Sequence, residues 1–71
     1  MTEPELLDEL ADILGAEPGT LTPETSLETV TWDSMALLAY LAFLRFHFNK
    51  FLPGTSCKNF HTVSDLIAAT R

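Results

Sequence analysis

Asp33 and Ser34 are adjacent polar residues that stand immediately before the uncharged, apolar run Met35–Leu44. With His47 and His61 they supply the side-chain types of a serine hydrolase, in which a histidine activates the serine and an aspartate orients the histidine. However, the sequence has no Gly-x-Ser-x-Gly turn and no glycine-rich oxyanion loop, and its 71 residues leave little room for a water-excluding pocket. We therefore expect that the chain is not itself an enzyme.

Cys57 and His61 are four residues apart, a spacing that can bring two side chains together on one helical turn. This would be only half of a metal site, and no further cysteine or histidine pair has metal-ligand spacing. A lone cysteine is more often a small core residue, and it cannot form an intrachain disulfide. We expect neither a metal site nor a disulfide.

The ordinary explanation for Asp33 and Ser34 is helix capping, because either side chain can accept hydrogen bonds from the free N–H groups of a first turn. Capping accounts for one of the two residues. It accounts neither for the long loop that leads to them nor for the apolar outer side of the helix that follows. The same N–H groups and the helix dipole favour an anion, so a phosphate ester on Ser34 would be electrostatically favourable, although Asp33 reduces this effect.

The elements that position these residues are predicted to be helical throughout. Thr2 and Glu5 have the spacing of a capping box, and Gly15 is a plausible stop for a first amphipathic helix. The segment 16–32 is rich in threonine, proline and glycine and predicts a long ordered loop. The residues that can anchor this loop to the core are Leu21, Leu27 and Val30.

A second helix is predicted from Asp33–Ser34 to about Asn49. One side of it should face the core, with the stripe Leu37, Tyr40, Leu41, Leu44 and Phe48. The opposite side is also apolar and comprises Met35, Ala39, Ala42, Phe43 and Phe46. A helix that is apolar all round is usually buried on every side or bound to a partner.

The last third of the chain predicts one short helical segment and a final helix. The short segment would be capped by Thr55 or Ser56 and run through Phe60. Thr62 and Asp65 form a second capping-box pattern. The final helix should turn inward the side chains of Val63, Leu66, Ile67 and Thr70. The predicted fold is an all-α bundle of three main helices plus one short helix, with a long loop between helices one and two, forming a single domain over residues 1–71.

Ten acidic residues against four basic ones give a net charge of −6. This charge argues against nucleic acid as a partner and favours a positively charged protein surface. The acidic start of the chain lacks the features of a secretory signal, and the uncharged run Met35–Leu44 is about half as long as a bilayer requires. We expect a cytoplasmic chain without a transmembrane segment.

Several of these residues together resemble the acyl carrier protein family, including peptidyl-type carrier domains, over nearly the whole chain. Leu27 followed by Trp32-Asp33-Ser34-Met35 resembles the family's Leu…Asp-Ser-Leu signature. Phe48, Leu52-Pro53 and the segment 60–67 resemble the family's Phe, Ile-Pro and Ile-Thr-Thr-Val-x-Asp-Ala-Ile, at the same intervals from the serine. Asp-Ser-Leu alone is a weak motif, but several landmarks in register without a gap are specific.

The resemblance implies a covalent 4′-phosphopantetheine on Ser34, transferred from coenzyme A by a phosphopantetheinyl transferase that recognises Asp33, Ser34 and Met35. The terminal thiol of this cofactor, and not Cys57, would carry an acyl or aminoacyl group as a thioester. Further implied partners are an acyl-loading ligase or acyltransferase and downstream biosynthetic enzymes. The bundle interior would receive the acyl chain in a cavity that we expect to be lined by Leu7, Leu10, Leu41, Leu44, Phe60 and Ile67.

The predicted partner surface departs from that of fatty-acid synthase carriers, which have acidic residues at the positions of Ala36, Ala39 and Arg45. Met35 in place of leucine conserves volume. The predicted surface is mostly apolar and comprises Glu28, Met35, Ala36, Ala39, Ala42, Arg45 and Phe46. This composition favours a specialised lipid, polyketide or peptide-like pathway over housekeeping fatty-acid synthesis.

The alternative is a non-catalytic helical interaction module that keeps the carrier fold without its chemistry. It would use Met35, Phe43 and Phe46 for docking or for dimerisation through the second helix.

Overall fold

The computed structural model describes every residue from Met1 to Arg71 and contains three α-helices. They are α1 (Glu3–Leu14), α2 (Ser34–Phe48) and α3 (Val63–Ala68). The predicted all-α bundle and the long connection between α1 and α2 are confirmed. None of the three helices combines the length and the hydropathy that a membrane-spanning helix needs.

Two short 3₁₀ helices lie in the connections, the first at Leu27–Thr29 and the second at Gly54–Asn59. The predicted cap of the second segment at Thr55 or Ser56 is wrong, because both residues lie inside it. Pro53 precedes it instead, with φ −65°, and its carbonyl accepts a hydrogen bond from the Ser56 N–H at 3.0 Å. The fixed φ of proline starts this turn without help from a side chain.

α1 begins and ends where its capping residues predict. The Thr2 N–H donates to Glu5 Oε1 at 3.3 Å, and the Glu5 N–H donates to Thr2 Oγ1 at 3.4 Å. The Thr2 hydroxyl also donates to Glu5 Oε1 at 2.8 Å, and this hydrogen bond, followed by that from the Thr2 N–H, lowers the pKa of the Glu5 carboxyl. At the other end Gly15 has φ 67°, and its N–H donates to the carbonyls of Ala11 and Asp12. Since glycine adopts this left-handed conformation without strain, the chain leaves α1 here and enters the loop.

The long loop is tied to both neighbouring helices by backbone hydrogen bonds. The Thr31 N–H donates to the Leu14 carbonyl at 3.1 Å, at the end of α1. The Leu27 N–H donates to the His61 carbonyl and the Val63 N–H donates to the Thr25 carbonyl, each at 2.9 Å, beside the start of α3. Leu21 and Leu27 are buried and Val30 is partly buried, as the sequence predicts. The loop therefore holds the start of α2 in a defined position.

One hydrophobic core joins all of these elements. Its buried members are Leu6, Leu10, Ala11, Leu14, Leu21, Leu27, Tyr40, Phe43, Leu44, Cys57, Val63, Leu66 and Ile67. α3 joins this core through Val63, Leu66 and Ile67. A second capping box starts the helix, in which Asp65 Oδ2 accepts from the N–H groups of His61 at 2.8 Å and Thr62 at 3.1 Å. These two hydrogen bonds lower the pKa of the Asp65 carboxyl.

Tyr40 lies at the centre of the core and is fully buried. Its hydroxyl donates to the Leu66 carbonyl at 2.7 Å, and its ring is edge-on to the rings of Trp32 and Phe60. No backbone N–H donates to the Leu66 carbonyl, since the Thr70 N–H donates to Ile67. Tyr40 thus satisfies a terminal carbonyl of α3 that would otherwise be buried without a partner.

Replacement of Tyr40 by phenylalanine should lower the free energy of unfolding by about 1–3 kcal/mol, because the Leu66 carbonyl loses its partner. Urea denaturation followed by circular dichroism measures this. A loss below about 0.5 kcal/mol would show that water replaces the hydroxyl.

Alkaline pH should unfold the protein. Burial raises the pKa of Tyr40 above its ordinary value of 10.0, and burial also raises the pKa of Cys57 above 9.0. Because the folded state holds these protons more tightly than the unfolded chain, their stabilising contribution is complete below about pH 9 and is lost as pH rises. The free energy of unfolding, measured by urea denaturation at increasing pH, should show this loss and should fall less steeply with pH in Tyr40→Phe. The same pH dependence in this variant as in the unaltered protein would contradict the assignment to Tyr40.

Candidate functional site

Ser34 is the first residue of α2 and is exposed. Asp33 is the N-cap: its Oδ1 accepts from the Ala36 N–H at 2.9 Å, and its carbonyl accepts from the Leu37 N–H at 2.9 Å. The Ser34 hydroxyl makes no hydrogen bond within the protein. The structure therefore assigns capping to Asp33 and leaves the Ser34 hydroxyl free at the surface.

The first turn of α2 also has free hydrogen-bond donors. The N–H groups of Ser34 and Met35 have no acceptor in the protein, whereas Asp33 satisfies those of Ala36 and Leu37. Free N–H groups and the positive end of the helix dipole both stabilise an anion. A negatively charged group on the Ser34 oxygen would meet these donors, opposed by the neighbouring Asp33 carboxylate.

An open groove of about 590 Å³ separates the start of α2 from the second 3₁₀ helix. This serine groove is lined by Trp32, Asp33, Ser34, Leu37, Gly54, Thr55, Cys57 and Lys58. A Cβ at Gly54 would lie 3.8 Å from Leu37 Cδ2, so a larger residue there would narrow the groove. Ser34 thus stands on the edge of a cleft whose lining includes one acid and one base, Asp33 and Lys58.

The expected acyl cavity in the bundle interior is not present. Leu10 and Leu44 have no exposed surface and are packed in the core. Leu41 and Phe60, which were expected to line the same cavity, instead line two separate surface grooves. Close packing of the large side chains fills the interior, and the open space lies at the surface.

α2 presents an exposed side that contains several predicted partner residues. Met35 is 75% exposed and Phe46 is 84% exposed, and Leu38, which was not predicted, is 65% exposed. We define the α2 outer face as Met35, Leu38, Ala39, Ala42, Arg45 and Phe46, all of which are exposed. At 100° per residue they span about 120° of the helix surface, which is one continuous strip.

Two residues assigned to this strip from the sequence lie in the core instead. Ala36 is 4% exposed and Phe43 is 7% exposed, so neither side chain offers a surface to a partner in this structure. The buried side of α2 is rotated by roughly 70° about the helix axis from the predicted stripe. Phe43 packs on Phe48 with ring centroids 5.7 Å apart.

The remaining candidate residues are dispersed. Glu28 is exposed in the first 3₁₀ helix and lines a groove with Trp32, Phe60 and His61, apart from the α2 outer face. His47 is exposed and packs on the Phe43 ring, with centroids 4.7 Å apart. Neither histidine hydrogen-bonds to Ser34. Cys57 is buried, which raises the pKa of its thiol.

Comparison of the chain with protein-family models, with curated proteins and with solved structures gives no match.

The capping role of Asp33 can be measured separately from any role of Ser34. Replacement of Asp33 by alanine should lower the free energy of unfolding by about 1 kcal/mol, because the Ala36 N–H loses its acceptor. Asp33→Asn keeps an acceptor oxygen and should lower the free energy of unfolding by only about a few tenths of a kcal/mol. Ser34→Ala is the control and should change stability little; if it costs as much as Asp33→Ala, the serine shares the cap.

Proposed function

We propose that the protein is an acyl carrier protein in which Ser34 bears 4′-phosphopantetheine. The observation that carries this proposal is the exposed Ser34 hydroxyl, free of hydrogen bonds, at the first position of α2, where Asp33 alone supplies the cap. A helix start that needed only a cap would not require the Ser34 hydroxyl in addition to the Asp33 carboxylate. The resemblance of the segments around Ser34, Phe48 and Thr62 to the carrier family supports the same assignment.

The residues around Ser34 fit a phosphodiester. The free N–H groups of Ser34 and Met35 and the Lys58 ammonium on the serine groove can stabilise its negative charge, against the repulsion of Asp33. The bound group would supply a flexible arm with a terminal thiol that holds an acyl or aminoacyl group as a thioester. Cys57 suits this role poorly, since burial disfavours its thiolate.

The partners of this carrier would meet it at two adjoining surfaces. A phosphopantetheinyl transferase would recognise Asp33, Ser34 and Met35 at the start of α2. A loading ligase or acyltransferase and the enzymes that consume the cargo would contact the α2 outer face, with Glu28 as an acidic contribution from the loop. Because the exposed part of this face is largely Met35, Leu38 and Phe46, we favour a specialised lipid, polyketide or peptide-like pathway.

Incubation with coenzyme A and a broad-specificity phosphopantetheinyl transferase should add the mass of one phosphopantetheinyl group, because Ser34 is exposed. Intact-mass spectrometry measures this. Ser34→Ala should gain nothing. Ser64→Ala is the matched control, since Ser64 is an exposed serine in the first turn of α3, and it should be loaded normally. No mass gain, or a gain that persists in Ser34→Ala, would disprove the proposal.

The alternative function, a helical interaction module without the cofactor, is favoured by the large exposed side chains of Met35, Leu38 and Phe46. Phe43 no longer belongs to this surface because it is buried. A cellular function that survives Ser34→Ala without loss would favour the module over the carrier.

The two functions also differ in the expected state of the unmodified protein. A carrier should be monomeric in size-exclusion chromatography with light scattering, and Phe46→Glu should leave its mass unchanged. A dimer that Phe46→Glu converts to a monomer would favour the module, because the charge would disrupt an apolar contact on the α2 outer face.

A further inference from the structure

The C-terminal end of α2 carries a second groove, of about 440 Å³, that the chemistry at Ser34 does not use. This basic groove is lined by Leu41, Ala42, Arg45, Phe46, Lys50, Phe51 and Leu52. Phe46 is 84% exposed and Phe51 is 70% exposed, although both are large aromatic side chains. A cleft with two exposed aromatic rings has the composition of a binding site for an apolar side chain.

The charge of the basic groove is opposite to that of the protein. Arg45 and Lys50 line it and no carboxylate does, in a chain whose net charge is −6. The Arg45 guanidinium lies 5.3 Å from the centroid of the Phe51 ring, and the Lys50 ammonium donates to the backbone carbonyl of Arg71. Lys50 is therefore already engaged by the Arg71 oxygen, whereas Arg45 is exposed beside Phe51 with no carboxylate among the lining residues.

We propose that the basic groove binds an acidic amphipathic segment of another protein. The apolar side chains of such a segment would pack on Phe46, Phe51 and Leu41, and its carboxylates would meet Arg45 and Lys50. Arginine next to exposed aromatic rings is typical of the residues that dominate binding energy at interfaces. The segment would lie in the groove with its apolar side inward, as amphipathic helices do in other grooves.

A second copy of the chain fits the groove poorly. In a symmetric contact the same patch meets itself, which would bring Arg45 and Lys50 near their own counterparts. The acidic side of α1 has the required charge, but Leu6, Leu10 and Leu14 are turned into the core, so it lacks an apolar stripe to offer. A stable dimer also needs roughly 800 Å² from each partner, a large share of a total surface of 4544 Å².

The position of the basic groove makes it independent of Ser34. Arg45 is eleven residues after Ser34 in the same helix, which corresponds to about 16 Å along the axis. A segment held at the basic groove would leave the serine groove open to a transferase or to another enzyme. Ala42, Arg45 and Phe46 also belong to the α2 outer face, so a bound segment would compete with enzymes that contact this end of the face and would leave the Met35 end free. Binding itself does not require the proposed cofactor.

A displayed library of random peptides, selected on the immobilised protein before and after treatment with coenzyme A and transferase, tests this inference. Selected peptides should combine Asp or Glu with large apolar residues and should bind both forms alike. Arg45→Glu should weaken binding about tenfold or more, as should Phe46→Ala. Both side chains are exposed, so circular dichroism should show an intact fold.

Matched controls separate the groove from the rest of the surface. Lys58→Glu makes the same charge change in the serine groove, and Met35→Ala truncates an exposed residue at the other end of α2; both should bind the peptides normally. Neutral or basic selected peptides, or binding that survives Arg45→Glu, would overturn the proposal. Failure to select any peptide would also overturn it. In that case, Arg45-dependent binding to anionic lipid vesicles would indicate a lipid surface, and Arg45-dependent self-association would indicate a second copy of the chain. Loading of Ser34 is measured separately by mass, so failure here leaves the carrier function untouched.

Discussion

The hydrogen bond from Tyr40 to the Leu66 carbonyl is the contact on which the arrangement of the helices most depends. It joins the middle of α2 to the end of α3, while the same ring packs edge-on against Trp32 and Phe60 in the two connections. A small bundle with a single cysteine and no cluster of three metal-ligating side chains has few ways to fix the relative positions of its elements. The Tyr40 side chain contacts α3 and both connections, and its hydroxyl needs only one hydrogen-bond partner. It therefore fixes the positions of several elements together.

That constraint also explains how Ser34 is presented. Trp32 packs on Tyr40 and is followed directly by Asp33, so the start of α2 is held by the core on one side and by its own cap on the other. The loop before it is tied to α1 through Thr31 and to α3 through Leu27. Ser34 therefore occupies an exposed but well-supported position, which is what a separate enzyme needs in order to find and modify one hydroxyl.

The capping residues and turns could be predicted from the sequence, because each depends on interactions within a few residues. Thr2 with Glu5, Gly15, and Thr62 with Asp65 act as their spacing indicates. The rotation of α2 could not be predicted in the same way. Its residues are apolar on every side, so periodicity does not distinguish inside from outside, and tertiary packing alone places Ala36 and Phe43 in the core and Leu38 in solvent.

The two grooves were missed for a related reason. Each is built from residues on separate elements: Ser34 with Lys58, and Arg45 with Phe51. The spacing within a single helix does not reveal such pairs. One signal was available, since no acidic residue occurs between Ser34 and Ser64 while Arg45, Lys50 and Lys58 do.

This charge asymmetry, combined with the geometry of α2, gives the helix two unlike ends. Its N-terminus offers free N–H groups beside Asp33, whereas its C-terminus has Arg45 in the last turn, where a cation suits the helix dipole. Cations at that end stabilise the helix and at the same time attract acidic partners, so one local requirement of the fold also gives the surface its selectivity. The helix dipole does not explain why the aromatic side chains of Phe46 and Phe51 are exposed. Both lie largely outside the core. Burial of apolar surface is the main force in folding, and the proposed partner segment would bury the surface of Phe46 and Phe51 that the chain itself leaves exposed.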